Sequence, residues 1–231
     1  MKALEGRLAL VTGASRGIGA ETAALLARSG ARVVRVARSL EPGNHDGFDD
    51  LPCDMSDPAA VASLAATVLA SLGTPDIVVS IAGVFERIAF EHASVETLQQ
   101  HLAVNLVGPF ALARGLLPAM RARGSGLHIS LGSIADHNGF SKNSIYSATK
   151  YGLRGLHESL SAEYRGSGVR FTLVSPGPTD TAVWDSASAE SLADIRQRST
   201  MLRAGDVAEA IHFVATRPSH VIIDWLRMGP V

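Results

Sequence analysis

With 231 residues, 46% hydrophobic and 19% charged, the chain has the balance of an ordinary globular protein, which excludes a disordered or fibrous one. Its 21 basic and 22 acidic residues leave a formal net charge of -1, so no global field gathers nucleic acid or anionic lipid, and a small-molecule partner is expected. Cys53 is the only cysteine and excludes an internal disulfide, and the charged, short segment 1–7 is no secretory leader, so a cytoplasmic location is expected.

No Pro/Gly/Ser linker splits the sequence, and one domain over residues 1–231 with one core is the natural reading. The longest uncharged stretch, 58–75, has membrane-spanning length. It is Ala-rich, bounded by prolines, and carries Ser63, Thr67 and Ser71 at i, i+4, i+8, the pattern of a soluble helix with one wet face. The eight histidines are scattered without ligand-pair spacing, and no metal site is expected.

In chain order, the apolar run 8–11 predicts a buried strand ending in Thr12-Gly13, followed by a helix to about Ser29 that Gly30 stops. Residues 32–37 predict a second strand, and runs at 76–80, 127–131 and 169–174 predict further buried strands. Helical periodicity covers about 58–72, 94–122, 144–165 and 206–216, and a last strand is expected over about 220–227. Segment 39–50, with Pro42, Gly43, Asn44 and Gly47, reads as an irregular surface loop, and the Ser- and Ala-rich segment 180–200 as a mobile lid. Strands apolar on both faces that alternate with helices imply an α/β fold: a doubly wound, Rossmann-type parallel sheet with helices on each side.

Residues 12–19, Thr-Gly-Ala-Ser-Arg-Gly-Ile-Gly, join the first strand to the first helix, where backbone N–H groups and the helix N-terminus can meet a pyrophosphate. Tyr146 and Lys150 stand at i, i+4 and so share a helix face. A phenol is a poor base at its free pKa of about 10, and a neighbouring ammonium favours its phenolate, so Lys150 is expected to lower the value. Ser133 lies 13 residues before Tyr146 at the end of an apolar strand, with Ser130 as a rival hydroxyl.

The spacing T-G-x-x-x-G-x-G together with Y-x-x-x-K resembles the short-chain dehydrogenase/reductase family, and matching motifs appear in family order along nearly the whole chain. The resemblance implies a nicotinamide dinucleotide held by Gly13, Ser15, Arg16, Gly17, Ile18, Gly19, Ala82 and Gly83. It also implies cofactor contacts from Tyr146 and Lys150, and from Pro176, Gly177, Thr179 and Thr181 in the segment after the strand at 169–174. It makes Ser133, Tyr146, Lys150 and Asn105 the catalytic set, with Asn105 holding a water that links the lysine to solvent. The bland alternative for Asn105 is a buried, satisfied helix asparagine. Asp54 matches the family's adenine-contacting acid and reads equally as a turn or N-cap aspartate. One departure stands out: where the family commonly has N-N-A-G, this chain has Ser80-Ile81-Ala82-Gly83, which predicts weaker bracing of that strand end.

An NAD-selective site of this kind usually ends its second strand in an acidic residue. This chain has Ala37, then Arg38, with Arg16 in the phosphate loop, so NADP(H) is the expected cofactor. The implied activity is hydride transfer between that cofactor and a carbonyl or alcohol, in a homodimer or homotetramer, with no nucleic-acid or membrane partner. A non-catalytic dinucleotide-binding sensor or scaffold is the alternative, and an extended-family epimerase or dehydratase is disfavoured by the short C-terminal part and the T-G-x-x-x-G-x-G spacing. The substrate is not readable: Asp136, His137, Asn138 and Phe140, and Phe85, Glu86 and Trp184, lie on loops that can face either substrate or solvent.

Overall fold

The computed structural model describes residues 2–185 and 197–231. Strand β1 (Leu8–Thr12) alternates its side chains between two hydrophobic clusters. Leu8 and Leu10 join one, and Ala9 and Val11 join the other, as the two-residue period of a strand buried on both faces requires. Beside it lie β2 (Arg32–Val36), β3 (Gly43–His45), β4 (Phe48–Leu51), β5 (Ile77–Ser80), β6 (Gly126–Leu131), β7 (Val169–Pro176) and β10 (Trp225–Met228). The sheet order is β10-β7-β6-β5-β1-β2-β4-β3. Every pairing in it is parallel except β3 with β4. The fold is the expected single-domain, doubly wound α/β sandwich.

On one face lie α2 (Pro58–Ser71) and α4 (Gly108–Arg123), which contribute Val61, Leu64, Leu112, Leu116 and Met120 to the core. On the other lie α1 (Gly17–Arg28) and α6 (Ala204–Ala215), which contribute Ala23, Leu26, Val207 and Ile211. Asp57 caps α2 by accepting from the N–H groups of Ala59 and Ala60, with Pro58 at the first helical position, where its missing N–H costs nothing. Ser63, Thr67 and Ser71 form the expected exposed stripe.

Three local expectations need correction. Segment 39–50 is not an irregular loop: β3 and β4 form a hairpin about Asp46 and Gly47, both at positive φ (53° and 83°), and β4 is the third parallel strand. Arg32 and Arg35 of β2 hold it through forked ion pairs to Asp49 and Asp50, which explains acidic residues within a strand. The helix expected over 94–122 is α3 (Val95–Leu102), a π turn (Ala103–Val107) and α4. The last strand starts five residues later than expected, at Trp225.

Among the described residues one helical run, Val95–Arg123, is long and apolar enough to cross a membrane by length and composition. Here its Leu112, Leu116, Leu117 and Met120 are buried against the sheet. The centre of the segment expected to be a lid, residues 186–196, lies outside the described residues. Its described flanks form a small sheet, β8 (Thr179–Asp180) with β9 (Leu202–Arg203), and Arg198 pairs with both Asp180 and Asp185.

Candidate active site

A cleft of about 1000 Å³ opens at the carboxyl edge of the sheet, where the order reverses between β1 and β5, the place at which such sheets bind ligands. Gly13, Ser15, Arg16, Gly17, Ile18 and Gly19 line the cleft, as do Arg38, Asp54, Ala82 and Gly83. The loop is packed to the limit: a Cβ at Gly13 would lie 2.9 Å from the Ala82 backbone, and one at Gly19 would collide with the Gly13 carbonyl. This close-packed turn at the N-terminus of α1 fits a dinucleotide pyrophosphate.

The weakened bracing expected at Ser80-Ile81 has a substitute. The Thr12 hydroxyl accepts from the backbone N–H groups of Ile81 and Ala82 at 3.0 and 3.1 Å, tying the end of β5 to β1. At the far end, the guanidinium of Arg38 lies 3.9 Å from Asp54, with both side chains substantially exposed. The other Asp54 oxygen accepts from the Ser56 N–H and hydroxyl, contacts that hold its carboxyl below the ordinary aspartate range. Asp54 is thus a turn aspartate that also lines the cleft.

Ser133, Tyr146 and Lys150 converge at the inner end. Ser133 follows β6 and its Oγ accepts from the Ala135 N–H, while Tyr146 and Lys150 project from α5 (Ser144–Glu163). Burial pushes the Tyr146 phenol up to about 12; its hydrogen bond with Ser133 works against that rise, and the charge of Asp136 adds to it. Burial pushes the Lys150 ammonium down to about 8, opposed by Asp136. Lys150 Nζ donates to the Leu131 carbonyl at 2.8 Å and stands 5.6 Å from the centre of the Tyr146 ring. Desolvation sets the direction of the phenol's shift and outweighs any depression by Lys150.

Asn105 does not line the cleft. It lies on the π turn, 1% exposed, and its amide is fully used: Oδ1 accepts from Val84 N–H, and Nδ2 donates to the Val84 carbonyl and to Thr149 Oγ1. Pro176, Gly177, Thr179 and Thr181 do line it. So do Phe85, Phe140 and Trp184, and the Phe85 ring meets Tyr146 and Trp184 edge-on at 4.8 and 5.0 Å. Glu86, Asp136, His137 and Asn138 are not among the lining residues, and Ser130 is buried within β6. Sequence reasoning missed Thr12 as a brace and Asn143 and Arg87 as lining residues. Of these only Thr12 carried a signal, as the polar end of an otherwise apolar strand.

A family model described as short chain dehydrogenase matches residues 7–192. D-threitol dehydrogenase of Mycolicibacterium smegmatis is 32% identical over 235 residues, 95% of this chain and 89% of that one. The closed form of a serine dehydrogenase complexed with NADP+ superposes with a TM-score of 0.87 at 27% identity, covering 96% of this chain and 94% of the other. A metagenomic short-chain oxidoreductase in complex with NADP gives a TM-score of 0.81 at 31% identity over 99% of both chains.

Proposed function

The chain belongs to the short-chain dehydrogenase family, an oxidoreductase family, and from that premise we propose that it interconverts a small-molecule alcohol and its carbonyl compound with NADP(H), Tyr146 serving as general acid and base. The observation that carries this reading is the convergence of Ser133, Tyr146 and Lys150 on one cleft that the glycine-rich loop also lines. NADP(H) supplies or accepts the hydride when bound.

Each remaining step falls to the chain's own groups. In reduction, the Tyr146 hydroxyl gives its proton to the carbonyl oxygen while Ser133 donates a hydrogen bond to the same atom. A phenol near 12 is fully protonated at neutral pH, which suits it as the acid. Lys150 holds the ribose hydroxyls and contributes positive charge beneath the phenol. Because the Asn105 amide is occupied, its proposed part in refilling the proton falls to its main-chain carbonyl on the π turn, a distortion frequent at functional sites. Phe85, Phe140 and Trp184 exclude water from the substrate end.

The cofactor preference rests on the absence of an acid at Ala37 and on Arg16 and Arg38 lining the same cleft, and it accords with structural neighbours solved with NADP. The test is a fluorescence titration with NADPH, followed by turnover assays on polyols, hydroxy amino acids and simple carbonyl compounds. Binding with turnover is expected. Binding without turnover of any of them would favour a dinucleotide sensor, the alternative from a different class.

A further inference from the structure

Behind Ser133, and outside the cleft, sits a charged side chain with no exposure at all: Asp136, at 0%. Its Oδ2 accepts from the Ser133 backbone N–H at 3.0 Å and from the Ser175 hydroxyl at 2.5 Å, and its Oδ1 lies 2.6 Å from His137 Nδ1. Three donors on two oxygens form an acceptor set suited to a carboxylate. Ser175 Oγ in turn accepts from Trp225 Nε1 at 2.9 Å, which ties the group to β7 and β10. Gly132 leaves it room, since a Cβ there would collide with Asp136 Oδ2.

Resting on the Tyr146 reading above, we infer that Asp136 is a positioning residue for the reaction: it fixes the backbone that aims the Ser133 hydroxyl at Tyr146, and it supplies the negative charge behind the Tyr146–Lys150 pair. A surface N-cap would need neither full burial nor a third donor from another strand. The charge acts on both partners in one sense, holding the phenol protonated and the ammonium charged, which is the state required before proton delivery to a carbonyl. The titratable groups that feel its charge are Tyr146, Lys150, Arg154 and His157 from α5, with His137 beside it on its own turn and Glu158 paired to Arg154. Arg154 and Arg227 stack on Trp225 at 4.4 and 5.2 Å, and the His137 ring meets Trp225 edge-on at 5.3 Å.

The test is Asp136→Asn, with NADPH affinity and kcat/KM measured between about pH 6 and 10. The expected result is a carbonyl reduction slowed on the order of tenfold at neutral pH. In addition, the pH at which NADPH affinity falls as Lys150 deprotonates moves down by about one unit, a tenfold change in its ionisation constant. A shape role alone would slow the reaction without moving that midpoint. An unmoved midpoint, an affinity independent of pH in both proteins, or reduction within twofold of the parent overturns the inference. Should Asp136→Asn fail to fold, Asp136→Ser removes the charge while needing less space, and the same shifts are expected. A parent chain that turns over no carbonyl compound defeats the proposed reaction instead, and the affinity midpoint still decides the role of Asp136.

Discussion

At the scale of single residues, two buried ionisable groups one helical turn apart are pushed towards neutrality from opposite sides, Tyr146 up to about 12 and Lys150 down to about 8. The sign of the pH dependence follows. Reduction needs the protonated phenol, present throughout neutral pH, and the charged ammonium, lost above about pH 8. In the free enzyme, kcat/KM for reduction should therefore hold level up to about pH 8 and fall beyond it. Alcohol oxidation needs the phenolate together with the charged ammonium, so it should rise with pH up to about 8 and level off beyond it. A reduction profile that keeps rising past pH 9 would contradict this ordering. Arg38 offers a second test: it is mostly exposed and 3.9 Å from Asp54, so solvent weakens its contacts. A single charge-assisted contact of about 1.5 kcal/mol still amounts to roughly a tenfold preference. Arg38→Ala should reduce the NADPH-over-NADH ratio of kcat/KM by about that factor, and an unchanged ratio would remove Arg38 from the selectivity.

Among the elements, the junction of β1 with β5 carries one wall of the cleft, and Thr12 holds it. Thr12→Val keeps the shape but leaves the N–H groups of Ile81 and Ala82 without their acceptor. With an unmade buried bond costing about 1–3 kcal/mol, the variant should lose stability in urea and bind NADPH several-fold more weakly. Full retention of both would show that Ser80-Ile81 needs no brace. Much at this scale was legible beforehand: β1, α1, β6 and α5 follow from apolar runs and glycines, and they deliver Ser133 and Tyr146 to the same edge. The β3–β4 hairpin was not read from its own signal, Asp46-Gly47, because the acids of β4 look like loop residues until Arg32 and Arg35 pair with them across the sheet. The π turn left no mark in the sequence, since the residues on either side continue the helical period. Asp136 was visible only as a loop acid, because its meaning depends on Ser175 and Trp225, each about 40 residues or more away.

For the whole molecule, the core under β6 contains an imidazole with no partner for either ring nitrogen among the described residues, His128. Its ring lies 5.7 Å from that of Phe171. Burial, reinforced by His157, pushes its pKa from 6.5 down to about 3. A folded value below the unfolded one means that the unfolded chain binds more protons between the two. Stability therefore rises with pH across that window and is lost as pH falls from about 6.5 towards 3. The scale is a few kcal/mol, at about 1.4 per unit. His128→Leu should be at least as stable as the parent at pH 7, since it removes unpaired buried nitrogens, and should lose much less stability by pH 4.5. Urea midpoints at the two pH values decide it, and parallel losses in both proteins would place the acid sensitivity elsewhere.

The account as a whole turns on the proton carried by Tyr146, and the most direct test mixes NADPH-loaded parent and Tyr146→Phe with a carbonyl compound that the parent reduces. Both proteins should bind NADPH within a few-fold of each other, because the substitution removes only the hydroxyl, and only the parent should oxidise it at an appreciable rate. Oxidation of NADPH by Tyr146→Phe at a rate comparable to the parent's would contradict the account.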